Sequence, residues 1–196
     1  MPTEPRQTVI QYPGGIRARM RWAGSNQAAA VFALSEVGGA LTDHGPLVAD
    51  APDLLCRAEL RVETPGGAWT ARLASPIYDE PEGIHWDTAG LLIVGYGFMT
   101  YAFEARTGLL RWSHRSGTPL VALLGSSRLA HILVQSELET FALEPDGQVG
   151  WRVAHSDVVV AAELLGGHLV LASFSGQQNA LDPATGRMAP GSARHP

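Results

Sequence analysis

Apolar and polar residues alternate in short runs along most of the chain. In "IRARMRW" (residues 16–22), Ile16, Ala18, Met20 and Trp22 fall on one side, and Arg17, Arg19 and Arg21 on the other. In "RAELRVE" (57–63), Ala58, Leu60 and Val62 share a face in the same way. A period of two with one polar side predicts half-buried β-strands. Each run lies beside a Pro-Gly-Gly turn, Pro13–Gly15 and Pro65–Gly67, which predicts two hairpins. "AAAVFALSEV" (28–37) reads as a third strand or a short helix. "TDHGPLVADAPDLL" (42–55) reads as loop, with room for one helical turn started by Asp50 and Pro52.

From residue 84 onward the pattern repeats and leaves no place for a long helix. Three stretches align: "LLIVGYGFMTYAFEARTGLLRW" (91–112), "HILVQSELETFALEPDGQVGW" (131–151) and "LVLASFSGQQNALDPATGRMAP" (169–190). Val94, Val134 and Ala172 are matched, as are Ala102, Ala142 and Ala180. Gly108, Gly147 and Gly186 are spaced 39 and 39, and Trp112 and Trp151 are 39 apart. A period near 40, with short strands and turns such as "EARTG", "EPDG" and "DPATG", predicts propeller blades. Residues 59–73 read as a degenerate fourth copy, in which Glu63, Gly67 and Trp69 echo the acid, the glycine and the tryptophan.

The run Ala-x-acid-x-x-Thr-Gly-x-x-x-Trp, carried by Ala102, Glu104, Thr107, Gly108 and Trp112, resembles the repeat motif of the pyrroloquinoline-quinone-type β-propellers. Ala142, Glu144, Gly147 and Trp151 match it in the second copy, where the turn is shortened and the threonine lost. Ala180, Asp182, Thr185 and Gly186 match it in the third, with Pro190 where tryptophan is expected. The resemblance implies an all-β propeller fold, and three repeats with one degenerate copy predict about four blades, as a small ring or an open, incomplete propeller. It also implies that Ala102, Gly108, Trp112, Ala142, Gly147, Trp151, Ala180 and Gly186 are docking residues, with each tryptophan ring laid flat against small neighbours. One domain over 1–196 is expected: degenerate hairpins in 1–75, three clear repeats in 76–190 and a disordered tail at 191–196. "TVIQY" (8–12) is expected to complete the last repeat. Quinone enzymes of this family position their cofactor with calcium, a catalytic acid and adjacent cysteines in an eight-bladed funnel. With one cysteine and about four blades, no catalytic residue and no cofactor are expected.

Composition narrows the partner. The 196 residues carry a net charge of −5, which argues against nucleic acid. All fourteen basic residues are arginine, so every cationic contact is a planar guanidinium suited to carboxylates. Cys56 stands alone, which excludes an intrachain disulfide. No run approaches the roughly 18 apolar residues of a membrane span. The first residues lack the basic-then-apolar order of a secretion signal, so a bacterial cytoplasmic protein is expected.

Candidate chemistry centres on "YDEPEGIHWD" (78–87), which gathers Tyr78, Asp79, Glu80, Glu82, His85, Trp86 and Asp87. It reads either as a recognition loop for a basic protein surface or as a solvated connection with Trp86 over the core. Its spacing does not fit a calcium loop. His85, His114, His131, His155 and His168 occupy non-equivalent positions, so no metal site is expected. Tyr96, Phe98 and Tyr101 read as interblade packing or as a small-ligand surface. The expected function is a non-catalytic protein-interaction module, an adaptor or an inhibitor or immunity protein, able to self-associate through exposed sheet edges. The alternative is a small-molecule or glycan binder, or a degenerate hydrolase, working from a central funnel.

Overall fold

The computed structural model describes residues 5–24, 40–44 and 56–189, with the backbone alone described at 40–44. The expectations for 28–37, for 45–55 and for the tail at 191–196 lie outside the described residues. The described part is all-β, as the alternation predicts. Contacts group the chain into two compact units, Met1–Ser113 and His114–Pro196.

The first unit holds two sheets. One contains β1 (Arg6–Tyr12), β2 (Ile16–Ala23), β3 (Ala40–His44), β4 (Cys56–Thr64) and β5 (Gly67–Ser75), in the order β1-β2-β4-β5-β3. The two Pro-Gly-Gly segments join β1 to β2 and β4 to β5. β3 pairs in parallel with β5, from Ala40 against Trp69 to His44 against Leu73. Residues 42–44 are therefore strand rather than loop. They lie on a sheet edge, where a polar run without alternation is tolerated because only one side of the ladder is paired. "TVIQY" belongs to β1 and pairs with β2, so it does not complete the last repeat. The alternation of β2 found its nearest complement in the adjoining hairpin strand.

The second sheet is β6 (Glu82–Trp86), β7 (Leu91–Tyr96), β8 (Met99–Glu104) and β9 (Leu110–Arg115), in sequence order. Its core partner is the apolar face of the first sheet. Ile16, Ala18, Met20, Trp22, Leu60, Val62 and Trp69 form one cluster with Leu92, Val94, Tyr96, Tyr101 and Phe103. Tyr96 and Tyr101 are thus core residues, not a ligand surface.

The second unit holds β10 (Leu120–Leu124), β11 (Ile132–Ser136), β12 (Glu139–Leu143) and β13 (Val149–Ala154) in one sheet. β14 (Val159–Leu165), β15 (His168–Ser173) and β16 (Gln178–Leu181) form the other. Leu133 and Ala142 pack with Leu169, Leu171 and Leu181 between them. Ladder partners correct one alignment. Ile93 faces Ala102, Leu133 faces Ala142 and Val170 faces Ala180, so the equivalent of Val94 and Val134 is Leu171, not Ala172. The β15–β16 hairpin has one more residue than its counterparts, which shifts the register by one.

Candidate functional site

Two of the repeated glycines meet a tryptophan of the preceding repeat across sheets, Gly108 with Trp69 and Gly186 with Trp151. Trp69 is 2% exposed and lies against Gly108, where a Cβ would come within 2.5–2.7 Å of the indole ring. Its Nε1–H donates to the Ala105 carbonyl at 3.0 Å, and Phe103 stands 5.4 Å away, ring centre to ring centre. Trp151 lies against Gly186 in the same way, with a built Cβ 2.8 Å from Cζ3 and 2.9 Å from Cδ2. The flat ring needs a neighbour without a side chain, and both glycines also carry positive φ (75° and 71°) in their turns. Trp112 and Trp151 are half-buried, in contrast to Trp69. Ala102 and Ala142 are fully buried, Ala180 is half-buried, and Gly147 is a positive-φ turn residue.

The acid and threonine close the turn. The Thr107 hydroxyl donates to Glu104 Oε2 (2.6 Å) and accepts from Leu109 N–H (3.2 Å), and Arg111 pairs with Glu104 Oε1 at 3.1 Å. With the shorter Asp182, the carboxylate instead caps the Ala184 N–H at 2.8 Å.

Residues 78–87 do not form one recognition loop. Glu82–Trp86 is a strand, paired with β7 from Glu82 against Gly95 to Trp86 against Leu91. The cluster of acids hid it, because an edge strand can carry charge on its open side. Gly83 makes the close approach possible: a Cβ there would sit 2.5 Å from Met20 Cε and 2.7 Å from the Tyr12 hydroxyl. Trp86 is buried, Tyr78 packs on the core, and His85 lies 5.9 Å from the Tyr12 ring. Glu80, Glu82 and Asp87 are exposed.

Asp79 has a structural role that the sequence reading missed. Its carboxylate accepts from Glu80 N–H (2.8 Å) and Gly97 N–H (3.0 Å), tying the entry of β6 to the β7–β8 hairpin. Asp157 does the same for Val158 N–H (2.8 Å) and Ser175 N–H (3.1 Å). In the copy between them, the Thr118 hydroxyl accepts from Leu138 N–H at 3.3 Å and donates to Ser136 Oγ at 3.1 Å. The three positions are spaced 39 and 39. That spacing was the signal, masked by the different residue types and by the acids around Asp79.

The two aspartates titrate in opposite directions. Burial raises the Asp79 pKa despite its two amide donors. The Ser175 side chain and amide, followed by Ser173, pull Asp157 down to about 2. A depressed pKa adds stability above the unfolded value of 3.8, lost as pH falls through about 2. For Asp79 the contribution is present below its unfolded value and lost as pH rises through the folded one. Asp157→Asn should therefore flatten the acid limb between 3.8 and about 2. Urea midpoints across that range, compared with the parent, check it; an unchanged limb refutes the cap.

The histidines serve separate contacts. His131 Nε2–H donates to the Pro183 carbonyl at 2.8 Å, and its ring meets Trp151 edge-on. Thr140 gives its one hydroxyl proton to Gln135 Oε1 (2.5 Å), so His155 Nε2–H donates to Thr140 Oγ1 at 2.6 Å. His114 lies 4.8 Å from the Phe141 ring. Among the described residues no three His, Cys, Asp or Glu side chains converge as metal ligands, and no helix is long and apolar enough to cross a membrane. In the second unit a groove of about 300 Å³ has Val153, Leu171 and Leu181 in its lining, together with His155, Gln177 and Asn179.

No family model and no curated protein matches the chain. Among solved structures, the fold is similar to that of HIRA(644–1017), with a TM-score of 0.51 and 12% identity over 96% of this chain and 53% of that one. It is also similar to the dihydro-heme d1 dehydrogenase NirN, with a TM-score of 0.52 and 13% identity over 70% of this chain and 35% of that one. BamB from Moraxella catarrhalis is matched at a TM-score of 0.41 and 22% identity, over 55% of this chain and 38% of BamB. The chain thus spans between 35% and 53% of the length of these structures. The two neighbours above a TM-score of 0.5 are β-propellers, so the class of the fold is propeller-like; identities this low speak to fold alone.

Proposed function

We propose that the protein is a non-catalytic interaction module of the pyrroloquinoline-quinone-type propeller kind, working in a bacterial cytoplasm as an adaptor or inhibitor. One observation carries the reading: the repeated chemistry is engaged in packing. Trp69, Gly108, Trp151, Gly186, Asp79 and Asp157 all face other parts of the scaffold. The acids of the β6 segment, Glu80, Glu82 and Asp87, project outward instead. They form an acidic rim suited to a basic protein surface. A photo-crosslinking residue at position 80 should capture one defined protein in the native cells. Charge reversal at Glu82 and Asp87 should abolish that crosslink; retention of the crosslink in the reversed variant refutes the reading.

The second reading, a small-molecule or glycan binder, is favoured by the groove beside His155 and Asn179, whose lining mixes apolar and polar side chains that suit a small ligand. Glycan-array binding lost in Asn179→Leu would support it. Self-association is a separate part of the proposal. β1 is an edge strand with exposed Val9, and light scattering at micromolar concentration reads whether copies pair through it.

A further inference from the structure

We infer that the outward-facing arginines of β2, on the polar face of the first sheet, form a docking surface for an acidic, extended segment of a partner protein. The ladder aligns side chains in rows across this face. Arg17 stands opposite Glu63, Arg19 opposite Arg61, and Arg21 opposite Glu59, which in turn faces Arg72. Ala23 stands opposite Arg57 at the far end. Six of the fourteen arginines therefore share one face with Glu59, Glu63 and Asp43, the last in register with Arg72, a local excess of three positive charges in a chain of net −5.

The excess is not spread evenly. Glu63 serves both Arg17 and Arg61, each at 3.6 Å. Glu59 is buried in the row of Arg21 and Arg72. The row between has no acid: Val9, Arg19, Arg61 and Thr70 lie across it. Arg61 turns to Glu63, so the exposed Arg19, with a like charge opposite it, is the guanidinium of this row that an anion laid over the face would meet. Arg17 and Arg19 are exposed, and the Arg17 side chain keeps 54% of its surface open to solvent.

The spacing selects the occupant. Alternate residues of a strand repeat at about 6.8 Å, so Arg17, Arg19 and Arg21 form a straight comb. An extended segment with carboxylates at every second residue repeats at the same distance and offers each guanidinium a planar, two-oxygen partner. Single-stranded nucleic acid fits less well. On β1, β2, β4 and β5 the face carries Gln, Val, Arg, Glu, Ala and Thr, with no aromatic ring to stack a base, and two glutamates lie among the arginines, with Asp43 of β3 in register beside Arg72.

This inference rests on the reading of the chain as an interaction module, but its test is independent of the acidic rim. The full chain is titrated into a fluorescein-labelled ten-residue peptide of alternating Glu and Thr, followed by anisotropy. Alternating Arg and Thr, and a ten-nucleotide oligothymidylate, serve as controls. The acidic peptide should bind and the basic one should not. Arg19→Glu should weaken binding about tenfold or more, and Arg19→Thr less, while the melting temperature of Arg19→Thr stays level or rises as the Arg61 repulsion is relieved. Acidic-peptide binding unchanged in Arg19→Glu, or tighter binding of the oligothymidylate, overturns the inference. Crosslinking from position 80 is read separately, so a failure there would strike the interaction-module reading while the titration still reports on the arginine face.

Discussion

Trp69→Ala should destabilise the first unit by about 3–5 kcal/mol, the range for emptying an aromatic site in a packed interior. The ring is 2% exposed and is held by Phe103, Ala105 and Gly108 of the facing sheet. Truncation leaves a void flanked by strands whose ladders fix their backbones, so collapse into it is limited. It also removes the donor to the Ala105 carbonyl, a buried acceptor that then lacks its 3.0 Å partner. Trp69→Phe separates the two effects. The smaller ring fills part of the space but cannot donate, so it should fall between the parent and Trp69→Ala. Equilibrium urea unfolding measures both. A loss below about 1 kcal/mol in Trp69→Ala would mean the ring is not an anchor between these sheets.

The degenerate copy, where the motif was weakest, thus supplies the most deeply buried tryptophan. In the sequence Trp69 stands two residues after Gly67, whereas Trp112 stands four after Gly108. The structure shows why the spacing changed: β4 and β5 meet in a tight hairpin, Thr64 against Gly67, which has fewer turn residues than the motif loops. Alternation was legible wherever one face was buried, as in β2, because burial itself writes the period of two. It was not legible in β6, where Gly83 is required by Met20 and Tyr12 from another sheet and where the acids lie on an open edge. Nor could the sequence reveal the parallel pairing of β3, since nothing local to Ala40–His44 names a partner some thirty residues away. The Asp79 and Asp157 caps were written in the spacing, but a carboxylate in an acidic run looks like a solvated charge until its amide donors are seen. The arginine comb was visible as one side of a strand; the Arg19–Arg61 opposition needed the register.

Gly186→Ala should destabilise the second unit by more than Gly176→Ala does, and the difference isolates the tryptophan contact. Both glycines carry positive φ, 71° and 85°. Adding a Cβ in the left-handed region costs about 1–2 kcal/mol at either position. At Gly176 the new methyl meets nothing within 4 Å, so that conformational penalty is the whole effect. At Gly186 it meets the Trp151 ring, with Cζ3 and Cδ2 both under 3 Å, and one side must give way. Overpacking of this kind adds about 1–3 kcal/mol. The ring has some freedom to move, because Trp151 is half-buried, so the lower half of that range is expected. The double variant Trp151→Ala with Gly186→Ala is the decisive arm. With the ring gone, Gly186→Ala should cost no more than Gly176→Ala, giving a coupling of about 1 kcal/mol or more between positions 151 and 186. Additive losses across the four proteins of that cycle would show that the ring and the glycine do not act as a pair.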